Sequence, residues 1–424
     1  MAEVFLISRR ALGFGAGCLL FLGVVGGTPG AAGLPEDRET APAITLVPPA
    51  LVATLTYDFE PWLERFQKRI DRLEGRPKTL ANRLELMRLH FYRAGLLAEL
   101  SHVLSFTSKF RVDTVQEPFD RHSKRAKALA REVLETPGIT TQQRAEGYFY
   151  LGLSEGYVGL LEYGAGNYLS ALVNGLNADN HLEEALRLDP ARYDAYVGLG
   201  VYQYGTTRLG GLANLIMQGG EDLRLQGLRH IERALRHPIV SRPLALKTLI
   251  WFYISEEINP DNADLPAGHP LSRPVCRRRA LELMAQYEKD YFGSSAPPGF
   301  IGNKGLAMMK AIQFVLDRNY EAARSQFQRV LEIAQYLERE KGYPINPQLT
   351  GTVREGIKFC DLMVLSIASG GGVPPGSVCS RIRHQIRFIE DGGSLVEYEA
   401  EKIRGEIQNV FYNRLQEMAR RGRC

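Results

Sequence analysis

The stretch Tyr148–Gly164, "YFYLGLSEGYVGLLEYG", decides how the chain is read. At its centre, Gly152-Leu153-Ser154-Glu155-Gly156 fits the G-x-S-x-G pattern, in which a nucleophilic serine sits on a strained turn between a strand and a helix. The lead-in, Tyr148-x-x-Leu151-Gly152, returns 48 residues later as Tyr196-x-x-Leu199-Gly200, and there Tyr202 stands where Ser154 stands. A repeat position that takes serine or tyrosine is a helix position, not an elbow. The alternating strands and helices of a hydrolase are missing around it, as is an HGGG-type oxyanion loop. Ser154 is therefore expected on a helix, with no catalytic role.

Between the two copies the chain reads Ala185-Leu186-Arg187-Leu188-Asp189-Pro190. An aromatic, then Leu-Gly three residues on, then Ala-x4-Pro closing the next helix, resembles the tetratricopeptide repeat (TPR). Tyr148 and Leu151, like Tyr196 and Leu199, fall at i and i+3 and face the second helix of the pair. Gly152 and Gly200 let the two backbones approach. Pro190 ends the second helix, because proline lacks an N–H and biases the preceding residue out of the helical region. A further match is Asn319–Val330, where Ala323, Phe327 and Val330 occupy the small, aromatic and small positions of a second helix; 303–317 would be its partner. Weaker copies lie at 227–238 and 280–287.

The resemblance covers about 140–341, and the order of parts around "LDPARYDAYVGLGVYQYG" is similar to that of exported bacterial TPR-like proteins of unassigned role. It implies an all-α, antiparallel helix-pair solenoid that binds a partner on its concave face, with no particular ligand. The offset of 48 exceeds the usual ~34 of the family, so long helices are expected at 140–164 and 166–188. Gly205–Gly220 reads as an irregular loop and a candidate partner contact.

Helical periodicity dominates elsewhere. Trp62, Phe66 and Ile70 recur at i, i+4, i+8 behind Pro61; Leu80, Leu84, Met87 and Phe91 form a second stripe. A helix over 115–135 should stop at Pro137-Gly138, and another should span 348–368. Only Ile44–Leu55 hints at β-branched alternation. Ser394 and Glu397 fit a capping box that would open a helix to about 420, roughly 40 Å long at 1.5 Å per residue. Leu395, Tyr398, Ile403, Ile407, Val410, Phe411 and Leu415 would be its buried stripe. The expected organisation is a signal peptide (1–32), a flexible linker (33–56), a TPR-like domain (57–369), a Gly/Pro loop (370–378) and a C-terminal helical cap (379–424).

The N-terminus carries the export expectation. Arg9-Arg10 precede the uncharged apolar run Ala11–Gly27, and Gly30-Ala31-Ala32 offers small residues for cleavage. Ser8-Arg9-Arg10-Ala11-Leu12 resembles a twin-arginine signal, but Leu12 and Gly13 replace the usual Phe and Leu, so the Sec route stays open. The apolar run continues for nine residues past Cys18, which argues against a lipoprotein. No other stretch reaches spanning length. Export would place Cys276, Cys360, Cys379 and Cys424 in an oxidising setting. Four cysteines allow three pairings; Cys360 and Cys379, close in sequence, are one possible bridge.

The formal charge of +4 over 424 residues gives no case for nucleic acid. Basic clusters at Arg277–Arg279, at Arg381, Arg383 and Arg387, and at Arg420, Arg421 and Arg423 suit solvated helix faces, or an anionic polymer or lipid. Eight scattered histidines lack H-E-x-x-H, and Glu256, Glu257, Asp261 and Asp264 miss the calcium-loop pattern, so no metal and no cofactor are expected. Glycines 198–220 lack both phosphate-loop signatures. Nine tyrosines fall between 148 and 204. Tyr148 and Tyr196 belong to the repeat core, whereas Tyr150, Tyr157, Tyr202 and Tyr204 are candidates to line a binding groove. The reading is a non-catalytic interaction or assembly scaffold in the bacterial envelope, recognising a protein or peptide segment. The alternatives are an exported enzyme acting on envelope polysaccharide, and a polymer- or lipid-binding accessory subunit.

Overall fold

The structure, a computed structural model, describes residues 43–106, 110–164, 166–293, 296, 299–368, 376–398 and 401–421. The expected signal peptide, Cys18, most of the Gly/Pro loop, Arg423 and Cys424 lie outside the described residues. Among the described residues there are sixteen α-helices and no strand.

The chain divides into two compact units, Met1–His102 with Ser108–Leu249 and Val103–Thr107 with Ile250–Cys424. The first includes α1 (Ala43–Leu55), α2 (Glu60–Glu74), most of α3 (Leu80–Leu104), α4 (Asp113–Leu134), α5 (Thr141–Gly164), α6 (Tyr168–Leu188), α7 (Tyr193–Leu209), α8 (Gly211–Gln218), α9 (Arg224–Leu235) and the start of α10 (Arg242–Ile258). Residues 43–55, expected in the linker, are helical, and Ala50, Leu51 and Leu55 are buried. The stripes of α2 and α3 behave as their spacing requires: Trp62, Phe66, Ile70, Leu84, Met87 and Phe91 are all buried.

Adjacent helices pack in pairs. α5 packs on α6 and on α4, α7 packs on α9, and α6 packs on α7. Both repeat glycines sit at the crossings. A Cβ on Gly152 would stand 3.0 Å from the Ala178 carbonyl oxygen and 3.0 Å from Leu182 Cγ. One on Gly200 would stand 2.5 Å from the Gly227 carbonyl oxygen and 2.7 Å from Ile231 Cγ1. No side chain fits at the second crossing without moving backbone.

The irregular insert expected at 205–220 is instead mostly helical. α7 runs on to Leu209, breaks at Gly210 (φ 66°, ψ −161°) and resumes as α8, which ends at the left-handed Gly219. Gly210 holds a backbone conformation that side-chain-bearing residues avoid. The break therefore needs one glycine, not a glycine-rich loop.

The second unit contains the rest of α10, then α11 (Arg273–Phe292), α12 (Lys304–Leu316), α13 (Tyr320–Glu340), α14 (Pro347–Ala368), α15 (Gly376–Glu390) and α16 (Glu401–Arg421). α12 packs on α13, and α13 on α14. Asn319 caps α13 by accepting from Ala322 N at 3.2 Å, and Ala323, Phe327 and Val330 are fully buried.

The capping box at Ser394 does not open a helix. α16 begins at Glu401, and Glu397 is a buried acceptor for Ser105 Oγ and Asn346 Nδ2, both at 3.0 Å. Asn346 N bonds the Leu104 carbonyl, and Lys304 Nζ bonds the Val103 carbonyl at 2.6 Å, so these side chains tie residues 103–106 into the unit. Glu397 thus serves tertiary contacts that its sequence neighbours do not reveal. The stripe of α16 is as expected at Ile403, Ile407, Phe411 and Leu415, all buried.

Two further expectations are corrected. Cys360 is a buried free thiol, as is Cys276; Cys379 is disulfide-bonded, but not to Cys360. Burial pushes the Cys360 thiol up to about 12. Glu256, read as part of a solvated acidic loop, is fully buried and accepts from Asn262 Nδ2 at 2.7 Å.

Candidate functional site

The two matching crossings of the first unit carry matching side chains. In the first, Tyr148 stacks on His181, with centroids 5.8 Å apart; in the second, Tyr196 lies 5.5 Å from His230. Ala178, His181, Leu182 and Ala185 on α6 correspond to Gly227, His230, Ile231 and Ala234 on α9. Ala185 and Ala234 are fully buried. The histidine pairing was not visible from the sequence, because the second helices are offset by one residue more than the first helices.

Three of the four tyrosines proposed for a groove are interior. Tyr150 (1% exposed), Tyr157 (4%) and Tyr204 (0%) are buried. The Tyr150 and Tyr92 hydroxyls meet at 2.7 Å, beside Glu146, which takes a two-pronged bond from Arg88 at 2.6 and 2.8 Å. Burial pushes both phenols well above their ordinary range. Ser154 is also buried, in the middle of α5, and its Oγ has no hydrogen-bond partner. Its neighbour Glu155 is fully buried and holds His181 Nδ1 at 2.7 Å, Arg131 at 3.4 Å and Lys127 at 3.6 Å. His181 therefore serves a carboxylate rather than Ser154.

Only Tyr202 of the four reaches the surface region. It lies on α7, half-buried, and its hydroxyl has no hydrogen-bond partner. Burial and the carboxylates of Asp179 and Glu183, on the facing helix α6, push its phenol above the ordinary range. Asp179 Oδ1 is buried and unpartnered too. Burial, reinforced by Glu183, raises the Asp179 carboxyl to about 7. The sequence offered no signal for Asp179: a single acid in a helix looks solvated until its neighbours are known.

Elsewhere on α6, and on α8, large apolar side chains stand exposed. Leu169 is 80% exposed, Val173 55%, Tyr168 42%, and on α8 Leu215 and Ile216 are 59% and 48% exposed. α8 packs against both α6 and α7, so these side chains lie on adjoining helices. α6 turns one stripe (Ala178, Leu182, Ala185) to α5 and leaves the apolar side chains of its first turns to solvent. The Gly205–Gly220 region, expected to contact a partner, supplies the α8 side of this face. Among the described residues no group of histidines, cysteines and carboxylates is placed to hold a metal ion. No described helix is long and apolar enough to cross a membrane.

Compared with known proteins, the chain matches no protein-family model and no curated protein.

Proposed function

We propose that the chain is an exported, TPR-like helix-pair repeat protein whose α6–α8 face binds an apolar segment of a partner protein in the envelope. The repeat reading rests on the two glycine crossings with their matching Tyr–His contacts. The binding reading rests on one observation: five large apolar side chains stand exposed on two adjoining helices. Soluble proteins seldom leave such a cluster to water unless something covers it. The groove residues shift accordingly from Tyr150, Tyr157 and Tyr204 to Leu169, Val173, Leu215 and Ile216.

A photo-crosslinking residue at position 169 or 215, in the cells that make the protein, tests this. Both should capture the same partner, and the exposed position Arg229 on α9 should not. Leu169→Asp with Leu215→Asp should abolish that capture without lowering the melting temperature. Equal capture at 229, or capture that survives the double change, overturns the face assignment.

A second reading rests on Asp179. A carboxyl near neutral pKa, facing a phenol with a second carboxylate one turn away, is poised for proton transfer. Asp179→Asn would abolish an activity on envelope polysaccharide under that reading and leave partner capture intact.

A further inference from the structure

Away from the α6–α8 face, a cavity of about 230 Å³ opens between the end of α2, the start of α3 and the middle of α4. Its cations are Arg76, Lys78, Arg83 and Arg125; its only carboxylates are Glu74 and Glu132. Glu132 is already engaged by Arg125 Nη1 at 3.2 Å. Glu74 lies 3.7 Å from His90 Nε2. Arg76, Lys78 and Arg83 take part in no ion pair among the described residues, and the Arg83 Nε–H is buried with no acceptor. Exposed Arg76 and Lys78 stand at the mouth.

Behind the wall, two neutral histidines lie among further arginines. His90 and His122 are buried, Nδ1 to Nδ1 at 2.8 Å, so they share one proton between those nitrogens. Burial first, then Arg125, Arg93 and Arg121, holds His90 neutral at about 4; burial, then Arg93, His90 and Arg121, holds His122 at about 3. Burial and Arg121 bring Arg93 itself down to about 10. The cations here, Arg76, Lys78, Arg83, Arg93, Arg121 and Arg125, outnumber the nearby carboxylates Asp71, Glu74 and Glu132, an excess that favours an anion.

We propose that this cavity binds a phosphate group, as inorganic phosphate or a phosphomonoester. The volume is below the ~300–1,000 Å³ of sites for drug-sized ligands, which suits a small anion. Arginine matches phosphate with parallel N–H donors, and the Arg83 guanidinium, whose Nε–H is buried, would use its terminal N–H groups. Arg125 would divide its donors between Glu132 and the anion. Lys78 and Arg76 would add charge from the rim. Glu74, next to His90, closes the negative side of the site and favours a ligand whose oxygens stay on the arginine side.

The test is isothermal titration of the full-length protein with inorganic phosphate, exchanged for chloride at fixed ionic strength. One saturable site is expected. Lys78→Gln with Arg83→Gln should weaken it at least tenfold with the melting temperature little changed. Glu132→Gln, which releases Arg125, should tighten it severalfold. Absence of saturable binding in the wild type overturns the proposal, as does equal affinity in the Lys78/Arg83 variant, or looser binding in a folded Glu132→Gln protein. Competition separates the sources of the phosphate. Displacement by glycerol phosphate identifies a soluble ester, displacement only by vesicles containing phosphatidic acid identifies a lipid headgroup, and displacement by neither overturns the ester assignment.

Discussion

The α5–α6 pair and the α7–α9 pair share a glycine crossing, and they differ in the polar groups the first one buries. Both lock a glycine of the first helix against the second helix, and both set a tyrosine beside a histidine. At the non-shared positions they diverge. Ser154, Glu155 and Asp179 in the first pair stand where Tyr202, Gln203 and Leu228 stand in the second. Leu228 is 1% exposed and apolar, whereas Asp179 is a half-buried acid. Leu169 and Val173, exposed on α6, have no counterpart in the second pair, because α9 begins only at Arg224. Shared positions make the helix pair, and the divergent ones leave the first pair with buried polar groups that cost stability.

The largest expected effect is at the crossings themselves. Gly200→Ala should destabilise by about 3 kcal/mol, even after alanine's better helix propensity, because its Cβ meets a backbone carbonyl at 2.5 Å. Gly152→Ala, whose Cβ would stand 3.0 Å from its nearest neighbours, should cost about 1 kcal/mol. Urea titration of both variants checks the order, and equal losses would break the claim that the second crossing is tighter.

Next comes the buried acid that only the first pair has. Glu155→Gln leaves His181, Lys127 and Arg131 without their shared carboxylate, and should cost about 2 kcal/mol in the same titration. A neutral outcome would show that these cations find water instead.

Asp179→Leu makes the first pair like the second and should stabilise by about 1 kcal/mol. The pH dependence has a definite sign. The unfolded carboxyl loses its proton near pH 3.8 and the folded one near 7, so this residue's contribution is full below about 4 and is lost as pH rises to 7. Melting temperatures of wild type against Asp179→Asn should converge at low pH and separate towards neutral pH, with the variant higher.

The smallest effect is at the face proposed for the partner. Leu169→Ser or Leu215→Ser should change stability by no more than about 0.5 kcal/mol, as exposed side chains do. A larger loss would mean that these leucines serve the fold.

The helix pairs were legible because Tyr-x-x-Leu-Gly and Asp-Pro act locally, on one helix and its end. α5, α6, α12 and α14 fall within a residue or two of their expected limits. Long-range effects were not legible. Glu397 looked like a capping residue because its partners, Ser105 and Asn346, are far off in sequence. The tyrosine-rich segment looked like a binding surface because aromatics suit both interfaces and cores, and only the packing of α3 on α5 turns Tyr150 inward. Asp179 and Tyr202 come together by the packing of α6 on α7, so neither helix alone identifies the pair.

The two free thiols of the second unit supply a clock. Cys276 and Cys360 are fully buried, and the described residues of the first unit include no cysteine. A thiol reagent in solution can reach them only when α11 or α14 lets go, so its rate of uptake times the opening of the second unit alone. With Cys18 replaced by serine the first unit stays silent in the same experiment, and phosphate added to it leaves the clock unchanged unless the two units open together.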